Sequence, residues 1–94
     1  MPTLALTLRR PFVADHFHDL PGFQEDRHGH NWTVEATVQV ADPAEEPRAE
    51  AALDRWVAAV DYRLLNAEAR LQGRNPTAEL LARWCLEDLA AAGT

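Results

Sequence analysis

The chain has no lysine: all nine of its basic residues are arginine. That removes a Schiff-base lysine and a phosphate-loop lysine together. Cys85 is the only cysteine, so no internal disulfide can brace the core, and one thiol on a helical pattern points to a reducing compartment. No apolar run approaches the roughly 18 residues of a membrane span, and Met1 to Arg10 lacks the charged-then-apolar order of a signal peptide. Cytoplasm is the expected location, with no membrane partner. Positive charge is also scarce: nine arginines against fifteen acidic residues leave a formal net charge of -6. Without a basic stripe interleaved with aromatics, nucleic acid is not an expected partner. A small anion held by Arg9, Arg10, Arg27 or Arg74 remains open, surface solvation being the ordinary use of such residues.

Ninety-four residues make a single domain, 1–94, whose core is thin unless a metal or partner subunits support it. Leu4, Leu6 and Leu8, then Phe12 and Ala14, alternate along residues 4–16, with Arg9-Arg10-Pro11 between. Alternation broken by proline predicts an edge strand with a bulge or bend. Residues 17–29 read as a loop around Pro21-Gly22. From 30 to 40, Trp32, Val34, Ala36, Val38 and Val40 face one way and Thr33, Glu35, Thr37 and Gln39 the other, a half-buried strand.

From about Arg48 the period becomes helical, with Ala49, Leu53, Trp56, Val57, Val60 and Leu64 on one stripe and Gly73 as a stop. Asn75-Pro76-Thr77 starts a second helix, with Asn75 or Thr77 as cap and Pro76 in the first turn, running to about Ala91. The class is α+β, in the order strand, strand, helix, helix. A two-stranded sheet is marginal alone in water, so a homo-oligomer is expected.

Histidines carry the chemistry. His28-Gly29-His30 enters the second strand, where residues two apart share a face at roughly 6.6 Å. Two imidazoles so placed can converge on one ion with Zn–N near 2.0–2.1 Å; on a helix the same spacing would splay them. A hairpin through 17–29 brings His16 beside them, with His18 on the same face as the alternative third ligand. Three protein ligands and an open position describe a catalytic zinc. Two surface histidines are the ordinary reading of H-x-H.

The residues resemble a known family. Phe12-Val13-Ala14-Asp15-His16 is similar to the F-x-A-x-H segment, and His28-Gly29-His30-Asn31-Trp32 to the HGHN-aromatic segment, of 6-pyruvoyltetrahydropterin synthases and their 6-carboxytetrahydropterin synthase relatives. Val60-Asp61-Tyr62-Arg63-Leu64-Leu65-Asn66 resembles L-D-H-x-x-L-N, and Asn75-Pro76-Thr77-Ala78-Glu79 resembles N-P-T-x-E. The resemblance implies a tunnelling fold, in which antiparallel strands of several subunits close into a barrel with helices outside. It implies a zinc ion on His16, His28 and His30, a trimer or hexamer, and a carbon–oxygen lyase acting on dihydroneopterin triphosphate or a close pterin, in pterin, folate or queuosine-type pathways. Thr77 and Glu79 fall on its substrate-binding segment.

The departures point to a variant. Where the family's usual cysteine base precedes HGH, this chain has Phe23-Gln24-Glu25-Asp26-Arg27. A branch of the family carries glutamate three residues before the first of these histidines, which makes Glu25 the candidate base and an ordinary loop carboxylate its alternative. The family's Asp-His pair is Asp61-Tyr62, the candidate partners in proton transfer, although Tyr62 also suits packing at a helix end. Cys85 sits on an apolar stripe and reads as structural. Two further strands follow in the family, with a glutamate that anchors the pterin; here the chain ends at Thr94. A non-catalytic zinc-binding paralogue is the alternative function, and a structural zinc the third.

Overall fold

A computed structural model describes residues 3–17, 19, 20, 23, 24, 26, 28–71 and 73–93, with backbone alone at 19, 20, 23, 24 and 28. Strand β1 (Leu4–His16) pairs antiparallel with β4 (His28–Val40) over all thirteen positions, from Leu4 opposite Val40 to His16 opposite His28. Beyond His16 a short ladder joins β2 (Asp19–Leu20) to β3 (Phe23–Gln24). Two helices follow, α1 (Glu46–Val60) and α2 (Ala78–Ala91). None of the helices in the described residues is long and apolar enough to cross a membrane.

The β1–β4 register runs unbroken through Pro11, so the expected bulge is absent. Opposed residues in an antiparallel pair alternate between bonding each other and turning their N–H and C=O groups away. Val13 and Asp15 bond outward, to residues beyond the hairpin. Odd positions of β1 therefore face its outer edge, and Pro11 is one of them. The missing N–H at Pro11 costs the β1–β4 ladder no bond.

Even positions point to the core. Leu8, Phe12, Ala14 and His16 of β1 and Val38 and Val40 of β4 are buried there against Ala49, Ala52, Leu53, Trp56 and Val60 of α1. Leu81, Trp84, Cys85 and Leu89 extend the cluster onto α2. Each fully buried Leu or Val is worth about 1.5–3 kcal/mol. Edge-on contacts of Trp56 with Phe12 (5.6 Å between centroids) and Trp84 (5.7 Å) join sheet to both helices. Arg10, also inward, reaches Asp54 (2.8 Å) and Glu50 (3.3 Å) on α1. The odd face is solvated, with directly opposed Thr7–Thr37 (3.1 Å) and Arg9–Glu35 (2.6 Å) pairs. Such exposed pairs contribute little.

Helix α1 ends at Val60, short of the predicted stripe, and Leu64 lies outside it. Asp61 turns extended and Tyr62 takes φ 57°, after which the chain runs along the outer edge of β1. Tyr62 N–H donates to the Val13 carbonyl (2.6 Å), Asp15 N–H to the Arg63 carbonyl (3.0 Å), and Leu64 bridges Asp15 in parallel. The helical period continues in sequence beyond Val60, but pairing with β1 supersedes it. Thr77 caps α2, its hydroxyl accepting from Leu80 N–H (3.2 Å); Pro76 lies before the cap rather than in the first turn.

Left-handed backbone costs a non-glycine residue roughly 1–2 kcal/mol, and the Tyr62 side chain is 82% exposed, so it recovers little by packing. Tyr62→Asn, which tolerates that conformation, is expected to raise the thermal midpoint by about 4–8 °C, the response of a small domain to 1 kcal/mol. A lower midpoint would show that the ring makes contacts in an assembly.

Burial pushes the Cys85 thiol up to about 11, with Asp88 adding to the shift. At neutral pH it stays protonated and slow to alkylate. Because the folded state holds this proton more tightly than the unfolded one, stability falls as pH rises from about 9 towards 11. Thermal melts of the parent and Cys85→Ala across that window should converge as pH rises; parallel curves would contradict it.

Candidate metal centre

Period-two alternation puts His16 and His30 on the inward face, at the loop end of the hairpin. Their rings stand 4.9 Å apart, centroid to centroid, at 67°. His16 is buried at 6% exposure, whereas His30 is exposed. One imidazole is thus fixed in the fold and the other meets solvent. The register sets His28 opposite His16; the His28 side chain, like all of His18 and Glu25, lies outside the described residues. No cluster of three metal-binding side chains occurs among the described residues.

Trp32 forms the floor. It stacks on Phe12 (5.9 Å, 3°) and meets His16 (5.2 Å) and His30 (6.0 Å) edge-on, while its Nε1 donates to the Ala14 carbonyl (3.3 Å). His16 Nδ1 faces the carbonyl of buried Pro76 at 3.4 Å. With the proton on Nδ1, this contact leaves the Nε2 lone pair for a ligand, the usual way in which a second partner fixes a metal-binding tautomer. Paired imidazoles in such a setting suit Zn²⁺, a borderline ion that takes nitrogen donors. Gly29 allows close approach on the opposite face: a Cβ there would stand 2.9 Å from Asp15 Oδ1.

Of the other candidates, Asp61 and Thr77 make side-chain bonds that hold the fold. Asp61 Oδ1 accepts from Val13 N–H (2.9 Å), three residues from His16. Asn66 makes two bonds to the Phe17 backbone, both 2.9 Å, just beyond His16. The Thr77 hydroxyl caps α2, and Glu79 is exposed in its first turn. Sequence reasoning missed Asn66 and the Pro76 carbonyl. Asn66 closes the D-x-x-x-x-N stretch and was visible as a polar residue ending an apolar run; a backbone carbonyl sixty residues from His16 leaves no sequence signal.

The family model for 6-pyruvoyl tetrahydropterin synthase matches residues 5–93. The solved structure of Caenorhabditis elegans 6-pyruvoyl tetrahydropterin synthase superposes with a TM-score of 0.78 at 18% identity, covering 98% of this chain and 80% of that one. No curated protein matches by sequence. At that identity the likeness is one of fold: the hairpin followed by two helices has the architecture of the tunnelling fold.

Proposed function

From the premise that the chain belongs to the 6-pyruvoyl tetrahydropterin synthase family, we propose that it is a zinc-dependent pterin synthase or lyase acting on dihydroneopterin triphosphate or a close pterin. The observation that carries this reading is the His16–His30 pair at 4.9 Å, on a common face and with one ring exposed. In this reading His16, His28 and His30 hold the ion. Zinc bound there supplies Lewis acidity towards the hydroxyls of the substrate side chain.

The chain's own residues do the rest. Trp32 and the Pro76 carbonyl hold His16 in one orientation. Glu25 takes the proton from the side-chain hydroxyl as general base. Asp61, with one carboxylate oxygen on Val13, and exposed Tyr62 flank the same end of β1 as proton-handling partners. Thr77 and Glu79 are assigned to the substrate. The working form is a homo-oligomer, a trimer or hexamer, in the cytoplasm.

Asp61 and Thr77 both hold the backbone, and that favours a second reading, a zinc-binding paralogue without turnover. Incubating the zinc-loaded protein with dihydroneopterin triphosphate and identifying products by mass separates the two. Loss of triphosphate, or a shortened side chain, supports the enzyme. An inert, fully loaded oligomer establishes the paralogue.

A further inference from the structure

The segment that follows α1 holds the end of β1 with side chains as well as backbone. Its parallel run along the outer edge closes at each end on a polar side chain, Asp61 at Val13 and Asn66 at Phe17. The two ends have different groups to satisfy. The Val13 carbonyl already accepts from Tyr62 N–H (2.6 Å), so the Val13 N–H is left, and a carboxylate oxygen of Asp61 takes it at 2.9 Å. At Phe17 both backbone groups fall to one side chain. Asn66 Oδ1 accepts from Phe17 N–H and Asn66 Nδ2 donates to the Phe17 carbonyl, each at 2.9 Å. An ionised carboxylate only accepts, whereas a carboxamide both donates and accepts. The residue types at 61 and 66 match these two needs.

Phe17 is also where β1 runs out. The register with β4 stops at His16 opposite His28. His16 stands between two neighbours bonded outward, Asp15 to the Arg63 carbonyl (3.0 Å) and Phe17 to Asn66. Its own ring points inward, to Trp32 at 5.2 Å, with Nδ1 3.4 Å from the Pro76 carbonyl. That contact is longer than the usual range of about 2.7–3.2 Å, too weak to fix the ring alone. The orientation of the ring therefore depends on the backbone to either side of it.

We propose that Asn66 is a positioning residue for His16. By holding both backbone groups of Phe17 it fixes the last residue of β1, and with it the imidazole that faces Pro76. The inference rests on the zinc reading only where it concerns the ion, because ring orientation can be measured without metal.

Asn66→Asp is close in size and keeps an acceptor for Phe17 N–H, but sets a lone pair against the Phe17 carbonyl. Asn66→Ala removes both bonds. Val38→Ala is the control for lost stability, a buried site opposite Leu6 at the far end of the hairpin. The full chain is stripped of metal and held at about pH 8, where histidine is neutral. Long-range nitrogen–proton NMR correlations should then show the parent's His16 ring in one tautomer, with its proton on Nδ1. In both Asn66 variants the ring nitrogens should move towards the averaged values of a solvent-exposed histidine, with unchanged circular dichroism. In Val38→Ala, read well below its midpoint, they should not. Zinc competed against a chromogenic chelator should bind Asn66→Asp about tenfold more weakly than the parent, the low end of the loss for a group acting through a ligand. A parent ring already averaged, a parent-like ring in Asn66→Asp, or equal zinc affinity in the two overturns the proposal and leaves zinc binding by the parent standing. A shift shared by Val38→Ala overturns it as well. A parent that binds no zinc removes the zinc reading instead, and the ring of Asn66→Asp then decides the role of Asn66.

Discussion

Protein expressed with supplementary zinc is expected to carry about one zinc ion per chain, and His30→Ala is expected to abolish it. His30 is the informative position because it is exposed: truncating it removes a donor without opening a cavity. His16, at 6% exposure against Trp32, is packed as well as placed, so His16→Ala should lose the metal and stability together. Loss of an outer-shell partner alone costs roughly 10–100-fold in metal affinity, so loss of a direct ligand should exceed about a hundredfold. Circular dichroism of His30→Ala should match the metal-free parent. A parent without zinc, or a His30→Ala protein that keeps it, removes the basis of the proposed chemistry.

Glu25→Gln is expected to keep zinc and lose turnover by about 10²–10⁴-fold, the usual contribution of a positioned general base. Glutamine preserves size and hydrogen bonding but cannot take a proton. Glutamate is a weak base at its ordinary value of about 4.3, sufficient only for a hydroxyl acidified by a neighbouring cation. The neighbouring Asp26 is exposed, and Asp26→Asn should have a far smaller effect, which separates a placed base from a generally acidic loop. If Glu25→Gln reacts as fast as the parent, the base lies elsewhere.

The elements legible in the sequence were those whose pattern comes from one solvated face. Residues 32–40 alternate because β4 is buried on one side only, and Thr77 was legible as a cap because its hydroxyl acts three residues away. What misled was decided by partners distant in sequence. Proline in a strand signals a bend only if its missing N–H faces the neighbouring strand, and the register that turns Pro11 outward is set by β4. The stripe ending at Leu64 kept its helical spacing, but the β1 edge competed for residues 61–66 and won. The two-residue ladder of β2 and β3 is too short to leave any periodicity in a loop-like sequence. At the site, the hairpin expected through residues 17–29 does bring His16 beside His30, while the period-two reading of His28 with His30 falls on a side chain outside the described residues.

The stitching of β1 at Val13, Asp15 and Phe17 also sets a folding order. The hairpin closes on itself through a modest loop. The bonds from Val13 to Asp61 and from Phe17 to Asn66 span 48 and 49 residues, and that from His16 to Pro76 spans 60. Closure entropy grows with loop length, and the longest-range contacts are rewarded only after the intervening segments have docked. The imidazole of His16 therefore acquires its final orientation late, once α1 has ended against β1 and the start of α2 has arrived. On the proposed zinc reading, affinity for metal becomes a reporter of completed folding, since a nascent chain presents loose histidines before His16 is oriented.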